Sequence, residues 1–325
     1  MNTLYISQQG STVSLHQESL IVKLGSSQSS PVGLPTLEQV LIFGNSHITT
    51  PAIRACLNRM IPVVFLSRLG YCYGRLLSIE RGYRQLSRYQ QELSLGDRLP
   101  AVHNILRSKI QNCRVLLLRY QRRRETTAFN ETLSTLAHFH SQIPQTYDLD
   151  QLRGLEGAAA AAYFRAFSDC LTHPDFPFEG RSRRPPANPV NALLSFGYQV
   201  LWNHLLTLIE VQDLDPYFAC LHESNSRHPA LASDLIEEFR APIVDSLVLA
   251  AINGRQVNRD TDFEYRDGGC FLNDRGRKLY LRLFLQRMEA PIGDYPRWHI
   301  LNQQVKRYKQ FVYNPAQGYQ PYTLR

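Results

Sequence analysis

The hydrophobic pattern of this 325-residue chain changes its period once, near residue 82, and that change decides what it can fold into. Before it, short runs at 3–7 (TLYIS), 12–16 (TVSLH), 19–24 (SLIVKL), 38–43 (EQVLIF), 62–66 (PVVFL) and 71–77 (YCYGRLL) alternate or cluster apolar residues, with Gly10, Gly25 and Pro35 between them. Such runs read as strands. One helix interrupts them: Thr50 suits its N-cap and Pro51 its first turn. Beyond residue 82 the alternation stops. Ile105, Leu106, Ile110, Cys113, Leu116, Leu117 and Tyr120 recur near a 3.6-residue period, which predicts a helix over 99–124. Further helices are expected at 127–141, 149–172, 190–211, 232–253, 274–290 and 299–309. The proline-rich stretch 174–189 with its arginines reads as a loop or hinge, and 310–325 as a poorly ordered tail.

The composition bounds the function. Apolar residues make up 43% of the chain and charged residues 20%, enough for a core and too few charges for disorder. Lys and Arg outnumber Asp and Glu by 36 to 28, a net charge of +8 that favours polyanionic partners through counterion release. The six cysteines form no CxxC pair, so neither a zinc ribbon nor a redox motif is expected, and scattered thiols suit a reducing compartment. No signal-peptide pattern and no run of 18 apolar residues is visible, which predicts a soluble cytoplasmic protein.

Three polar clusters interrupt the helical patterns. Glu156 lies in LRGLEGAAAAAYF, where small residues would let a neighbouring helix approach a carboxylate; the plainer alternative is that the alanines pack and Glu156 is solvated. His222 ends the stretch DLDPYFACLHE at the edge of an apolar run, with His228 competing from a polar loop. The third cluster, SDLIEEFRAPIVD, carries Asp234, Glu237 and Glu238 among Leu235, Ile236, Phe239, Ile243 and Val244. Carboxylates at a helix start fit the helix dipole, but apolar neighbours on most sides argue for burial, and buried carboxylates need a cation or hydrogen bonds. Two carboxylates and an imidazole suit Mg²⁺ or Mn²⁺, which can activate a hydroxyl and neutralise a phosphate. No Walker, GxGxxG, HExxH or GxSxG motif offers a rival chemistry.

These strings resemble the signatures of the CRISPR-associated integrases, the universal adaptation subunit of those systems. LRGLEGAAAAAYF (152–164), RRPPANPVNALLSFGY (183–198), LDPYFACLHE (214–223) and LASDLIEEFRAPIVD (231–245) match in order, with a weaker match at SKIQNCRVLLLR (108–119). The resemblance implies an α+β fold: a β-sandwich-like dimerisation domain (1–80), a linker (81–98), an all-helical catalytic domain (99–309) and the tail (310–325). It implies Glu156, His222 and Glu237 as metal ligands, with Asp234 either joining the metal or supporting its ligands, and Glu238 as a supporting residue. It also implies a homodimer, assembled with the second core CRISPR-associated protein around double-stranded DNA. Where the family commonly has a glycine before the motif histidine, Ala219 and Cys220 stand here.

Arg122, Arg123 and Arg124, and Arg181, Arg183 and Arg184, are candidate contacts to the DNA backbone, although charge runs equally often form solvated surface. Tyr198 either approaches DNA or packs in the core. The expected reaction is attack of a captured DNA's 3′-OH on a phosphodiester at the repeat edge. A repair nuclease acting on branched DNA, or a DNA-binding scaffold without catalysis, are the alternatives.

Overall fold

The computed structural model describes residues 3–67, 72–78, 84–222 and 228–324. The chain runs β1 (Thr3–Ile6), β2 (Thr12–His16), β3 (Ser19–Leu24), β4 (Ser27–Gln28), β5 (Val32–Gly33), β6 (Gln39–Phe43), β7 (His47–Ile48), α1 (Thr50–Asn58), β8 (Val63–Leu66) and β9 (Cys72–Leu76). It continues with α2 (Arg84–Glu92), α3 (Leu95–Arg124), α4 (Asn130–Gln142), α5 (Leu149–Asp169), α6 (Pro189–Val211), α7 (Ala230–Ile236), a wide π-turn (Arg240–Asp245) and α8 (Ser246–Asn253). Then follow β10 (Phe263–Arg266), β11 (Gly269–Leu272), α9 (Asp274–Glu289), β12 (Pro291–Ile292), β13 (Tyr295–Pro296) and α10 (Arg297–Tyr313).

The N-terminal strands form two sheets, ordered β1-β6-β8-β9 and β4-β3-β2-β7, with β5 beside β3. β1, β6 and β8 are parallel, and β9 returns antiparallel to β8. All five residues of β6 are buried, as expected of a strand covered on both faces. Val40 and Ile42 pack with Val13, Leu20 and Cys56 between the sheets, whereas Leu41 and Phe43 belong to the core of the helical part. This sheet is therefore a wall shared by both halves. His204 of α6 pins it: its Nε2 is 2.5 Å from Tyr5 Oη of β1, its Nδ1 meets Gln39 Nε2 of β6, and its ring packs on Phe284 and Trp298.

Three expectations need correction. The C-terminal part is not all helical, because β10 and β11 form a hairpin whose turn residues Asp267 and Gly268 have positive φ; the Asp-Gly step is the local signal for such a turn. The single helix expected over 232–253 is broken into α7, the π-turn and α8, where Pro242 lacks the N–H that a continuous helix requires. The tail is not poorly ordered: Phe311, Val312 and Tyr319 are buried, and Tyr322 stacks on Phe239 at 5.4 Å. The boundary expected at 80/81 lies outside the described residues, and the expected linker carries α2 and the first residues of α3.

One helix, α6, is long and apolar enough to cross a membrane by length and composition, but 83% of its apolar window is buried inside the protein. Asn188 caps its N-terminus by accepting from the Asn191 N–H, with Pro189 in the first turn. At Gly197 a side-chain Cβ would lie 2.7 Å from Val244 Cγ1 and closer still to Tyr280 Oη, so α6 approaches the π-turn as only glycine allows.

Candidate active site

Three helical segments meet at a buried ammonium group. α3 begins with a capping box between Ser94 and Asp97 and carries Lys109 on the edge of its buried face, next to Ile110. α5, capped by Asp148, brings Glu156. The alanines divide as helix geometry demands: Ala159 and Ala162 are buried and Ala158 and Ala161 exposed, which lets α5 lie close to its neighbours. Glu237 follows α7, in the short link before the π-turn. Lys109 Nζ lies 2.5 Å from Glu156 Oε1 and 2.6 Å from Glu237 Oε2. Glu156 is only 18% exposed and Glu237 2%, so the Glu156 carboxylate is paired within the protein rather than solvated.

Charge decides the protonation states here. Burial opposes the charge on Lys109, but Glu237 and Glu156 outweigh it and raise its pKa. Burial likewise opposes the Glu237 carboxylate, but Arg240 and Lys109 win and hold it down to about 2. Arg240 Nε donates to Glu237 Oε1 at 2.9 Å. Its guanidinium lies 4.6 Å from the Tyr198 ring centre, with Arg181 on that ring at 5.5 Å. Tyr198 and Tyr163 both donate their hydroxyls to Asp245, so Tyr198 is mainly a packed residue with one edge toward the site.

His222 is oriented by Asp234, which is fully buried. Asp234 accepts from three consecutive backbone amides, those of Cys220 (2.7 Å), Leu221 (2.9 Å) and His222 (3.0 Å). It also lies 2.7 Å from His222 Nδ1. The departure from glycine at Ala219 and Cys220 is thus accommodated, because Asp234 holds the loop. A proton on Nδ1, donated to Asp234, leaves Nε2 as the acceptor nitrogen, the arrangement usual for a histidine that binds metal. Burial works against protonation of His222, and Asp234 overcomes it to raise the pKa. His228 is placed otherwise: its Nε2 bonds Ser233 Oγ and its ring stacks on Trp202. Residue 223 lies outside the described residues.

The donor set suits a divalent cation. Glu156 and Glu237 already share one positive charge, and Glu237 Oε2 contacts Lys109 without an aligned hydrogen bond. Among the described residues no three potential ligands converge tightly enough to hold a metal as they stand. Lys109 sits between the two carboxylates, and a metal would exchange with its ammonium.

The remaining candidates scatter. Glu238 faces away from Lys109, toward the tail, where Tyr319 Oη and the Tyr322 N–H donate to it. Arg122, Arg123 and Arg124 end α3, well beyond Lys109 and about 20–22 Å along the helix from it. Arg124 is spent on the carbonyls of Asp169 and Cys170 at the end of α5. Arg181 bonds Asn191 and Ser195, holding the proline-rich loop to α6. Arg181, Arg183 and Arg184 all border an open groove of about 620 Å³ with Arg75, Trp202 and Arg240. A second opening, of about 640 Å³, lies on the His222 side beside Arg98 and Arg153. Sequence reading passed over Lys109, Arg240 and Asp245 as site residues; a lysine at the margin of an otherwise apolar helical stripe was the available signal for the first.

A family model described as CRISPR associated protein Cas1 matches residues 4–286. A relative from Rhodospirillum rubrum named CRISPR-associated endonuclease Cas1 2 is 35% identical over 298 residues, covering 88% of this chain and 86% of that one. A Geobacter sulfurreducens protein named as a Cas4 exonuclease/Cas1 endonuclease fusion is 36% identical, covering 89% of this chain and 53% of its own length. Among solved structures, the Cas6-RT-Cas1–Cas2 complex matches with a TM-score of 0.86 and 26% identity, covering all of this chain and 36% of that chain. A Cas1 protein from Thermotoga maritima shares the fold over the full length of both chains, with a TM-score of 0.82 and 24% identity.

Proposed function

Because this chain belongs to the Cas1 family of CRISPR-associated proteins, we propose that it joins the 3′-OH end of captured DNA to the edge of a CRISPR repeat, at the site formed by Glu156, His222 and Glu237. The enzyme class is that of a CRISPR-associated endonuclease and integrase. The observation that carries the site assignment is the sharing of one buried positive charge by Glu156 and Glu237, with an Asp234-oriented imidazole nearby.

Glu156, Glu237 and His222 would hold Mg²⁺ or Mn²⁺, an ion that polarises a phosphoryl oxygen and lowers the pKa of an attacking hydroxyl. Asp234 keeps His222 in one tautomer and one orientation. Arg240 fixes Glu237 through Oε1 and is itself held over Tyr198, which Asp245 anchors. With an ion held there, Lys109 would keep a positive charge beside the carboxylates, available to a phosphate. In the reaction the attacking 3′ oxygen bonds to phosphorus as the bond to the departing 3′ oxygen breaks. One phosphodiester replaces another, and the hydroxyl proton passes to the departing oxygen through solvent. With water as the attacking group, the same residues give hydrolysis.

The open grooves on the two sides of the site give separate approaches for two DNA segments, and Arg183 and Arg184 supply phosphate contacts to one of them. We assign the chain a homodimeric state and, as partner, the second core CRISPR-associated protein, two integrase dimers flanking one dimer of that protein. The likeness to a Cas1–Cas2 complex supports that partner. The cytoplasm suits its six unpaired cysteines.

A strand-transfer assay tests the reading. The protein is mixed with labelled duplex bearing 3′-OH ends, a supercoiled plasmid carrying a repeat, and Mn²⁺, with and without the partner. Label is expected in the plasmid, lost with dideoxy ends and with Glu156→Ala or Glu237→Ala. Cleavage without joining would favour a repair nuclease. DNA binding without metal-dependent chemistry would leave a scaffold.

A further inference from the structure

Glu237 is held by less helix than its neighbours. α7 ends at Ile236 and the π-turn begins at Arg240, so Glu237, Glu238 and Phe239 form a link between them. Their backbone bonds are short-range: the Glu237 N–H reaches Asp234 O at 3.3 Å and the Phe239 N–H reaches Ile236 O at 2.9 Å. A carboxylate on such a link must be placed by something other than regular helical hydrogen bonding.

The C-terminal residues do this from behind. Tyr319 Oη donates to Glu238 Oε1, and the Tyr322 N–H donates to Glu238 Oε2 at 2.6 Å. The Tyr322 ring stacks on Phe239. The segment is anchored in turn on one stripe of α3. Asn104 Nδ2 donates to Tyr319 O at 2.9 Å, Ser108 Oγ to Tyr322 O, and Asn112 accepts from the Leu324 N–H at 2.7 Å. Asn112 Nδ2 also donates to Glu238 O at 2.8 Å. Gln304 of α10 donates to Tyr319 Oη at 2.8 Å, orienting the hydroxyl toward Glu238. Residues 319–324 therefore lie across α3 and the link together, and α3 carries Lys109 one residue from Ser108.

We propose that residues 319–324 are a positioning strap for Glu237, acting through Glu238 and Phe239 to fix the Glu237 carboxylate relative to α3. This rests on the reading of Glu237 as a metal ligand. The strap touches neither substrate nor metal. Its task is to hold a ligand that local secondary structure leaves loosely placed, as outer residues do around other metal ligands.

The test uses full-length Tyr319→Phe, which deletes one hydroxyl, and a second chain ending at Gly318. Mn²⁺ affinity is measured by electron paramagnetic resonance of the free ion, together with Tm and with kcat and KM for strand transfer. Tyr319→Phe is expected to weaken Mn²⁺ binding about 10-fold and to lower kcat similarly, with KM for DNA unchanged. The shortened chain should show a larger loss of both, per folded molecule by circular dichroism. Wild-type Mn²⁺ affinity and kcat in the folded Tyr319→Phe protein would overturn the strap, as would a loss in the shortened chain that disappears once unfolded protein is discounted. Glu237→Ala, run in parallel, separates the two ideas. If it binds Mn²⁺ as wild type does, the ligand assignment fails; if it loses binding while Tyr319→Phe does not, only the strap fails.

Discussion

Lys109 places its ammonium 2.6 Å from the Glu237 carboxylate while also contacting Glu156, so a lysine holds together two acids carried by different helical segments. Removing one member of a buried charge pair leaves the other uncompensated, at a cost of about 3–5 kcal/mol. Lys109→Met should therefore lower Tm sharply in metal-free buffer. Millimolar Mn²⁺ should recover much of that loss, and should raise the Tm of wild type less. Thermal unfolding with and without Mn²⁺ reads this directly; equal metal responses in the two proteins would show that the carboxylates do not form one cation site.

Asp234→Asn keeps the side chain's size but withdraws the charge that orients His222 and receives three amides. Loss of such a partner costs about 10–100-fold in metal affinity or activity. The double variant with His222→Ala should be little worse than His222→Ala alone, because both substitutions disable the same imidazole. Full additivity in single-turnover strand transfer would separate the two residues.

Gly197→Ala drives a methyl group against Val244 and Tyr280, one residue from Asp245. Overpacking of this kind costs about 1–3 kcal/mol. Denaturant unfolding should show that loss, and kcat should fall with it because Asp245 anchors Tyr198 beneath Arg240. Wild-type stability would mean that α6 and the π-turn can separate at no cost.

Arg183 and Arg184 border the open groove, whereas Arg124 is occupied with α5 carbonyls. Each lost phosphate contact reduces the slope of log K against log salt by about 0.9. Replacing both Arg183 and Arg184 by alanine should flatten the slope by up to about 2. Arg124→Ala should lower Tm and leave the slope alone. The reverse result in fluorescence-anisotropy titrations would move the DNA path to the far end of α3.

Burial holds His204 neutral, its pKa lowered to about 3 from 6.5. Between those values the unfolded chain takes up a proton that the folded chain refuses. The resulting stability is full above pH 6.5 and is lost progressively as pH falls toward 3. Between pH 7 and 4.5 that amounts to about 2–3 kcal/mol. Urea unfolding at the two pH values should show a smaller acid-induced loss for His204→Gln than for wild type; equal losses would show that His204 does not titrate with unfolding.

Much of this protein was legible in the order of its residues. Alternating or clustered apolar runs located β1, β2, β3, β6, β8 and β9, and the 3.6-residue period located α3, because both patterns are local and follow from which faces of an element are buried. The signature strings also pointed to Glu156 and Glu237, which the fold brings to one lysine, and to His222, which it sets against Asp234. Sequence could not say that Lys109 would sit between two of them, that Asp234 would turn toward His222 while Glu238 turned toward Tyr319, or that Arg124 would bond the end of α5 while Arg181, Arg183 and Arg184 lined a groove. Those outcomes depend on which side chains meet across elements distant in the chain. Burial then makes each meeting decisive, because a charge removed from water must find its partner in whatever the fold brings beside it.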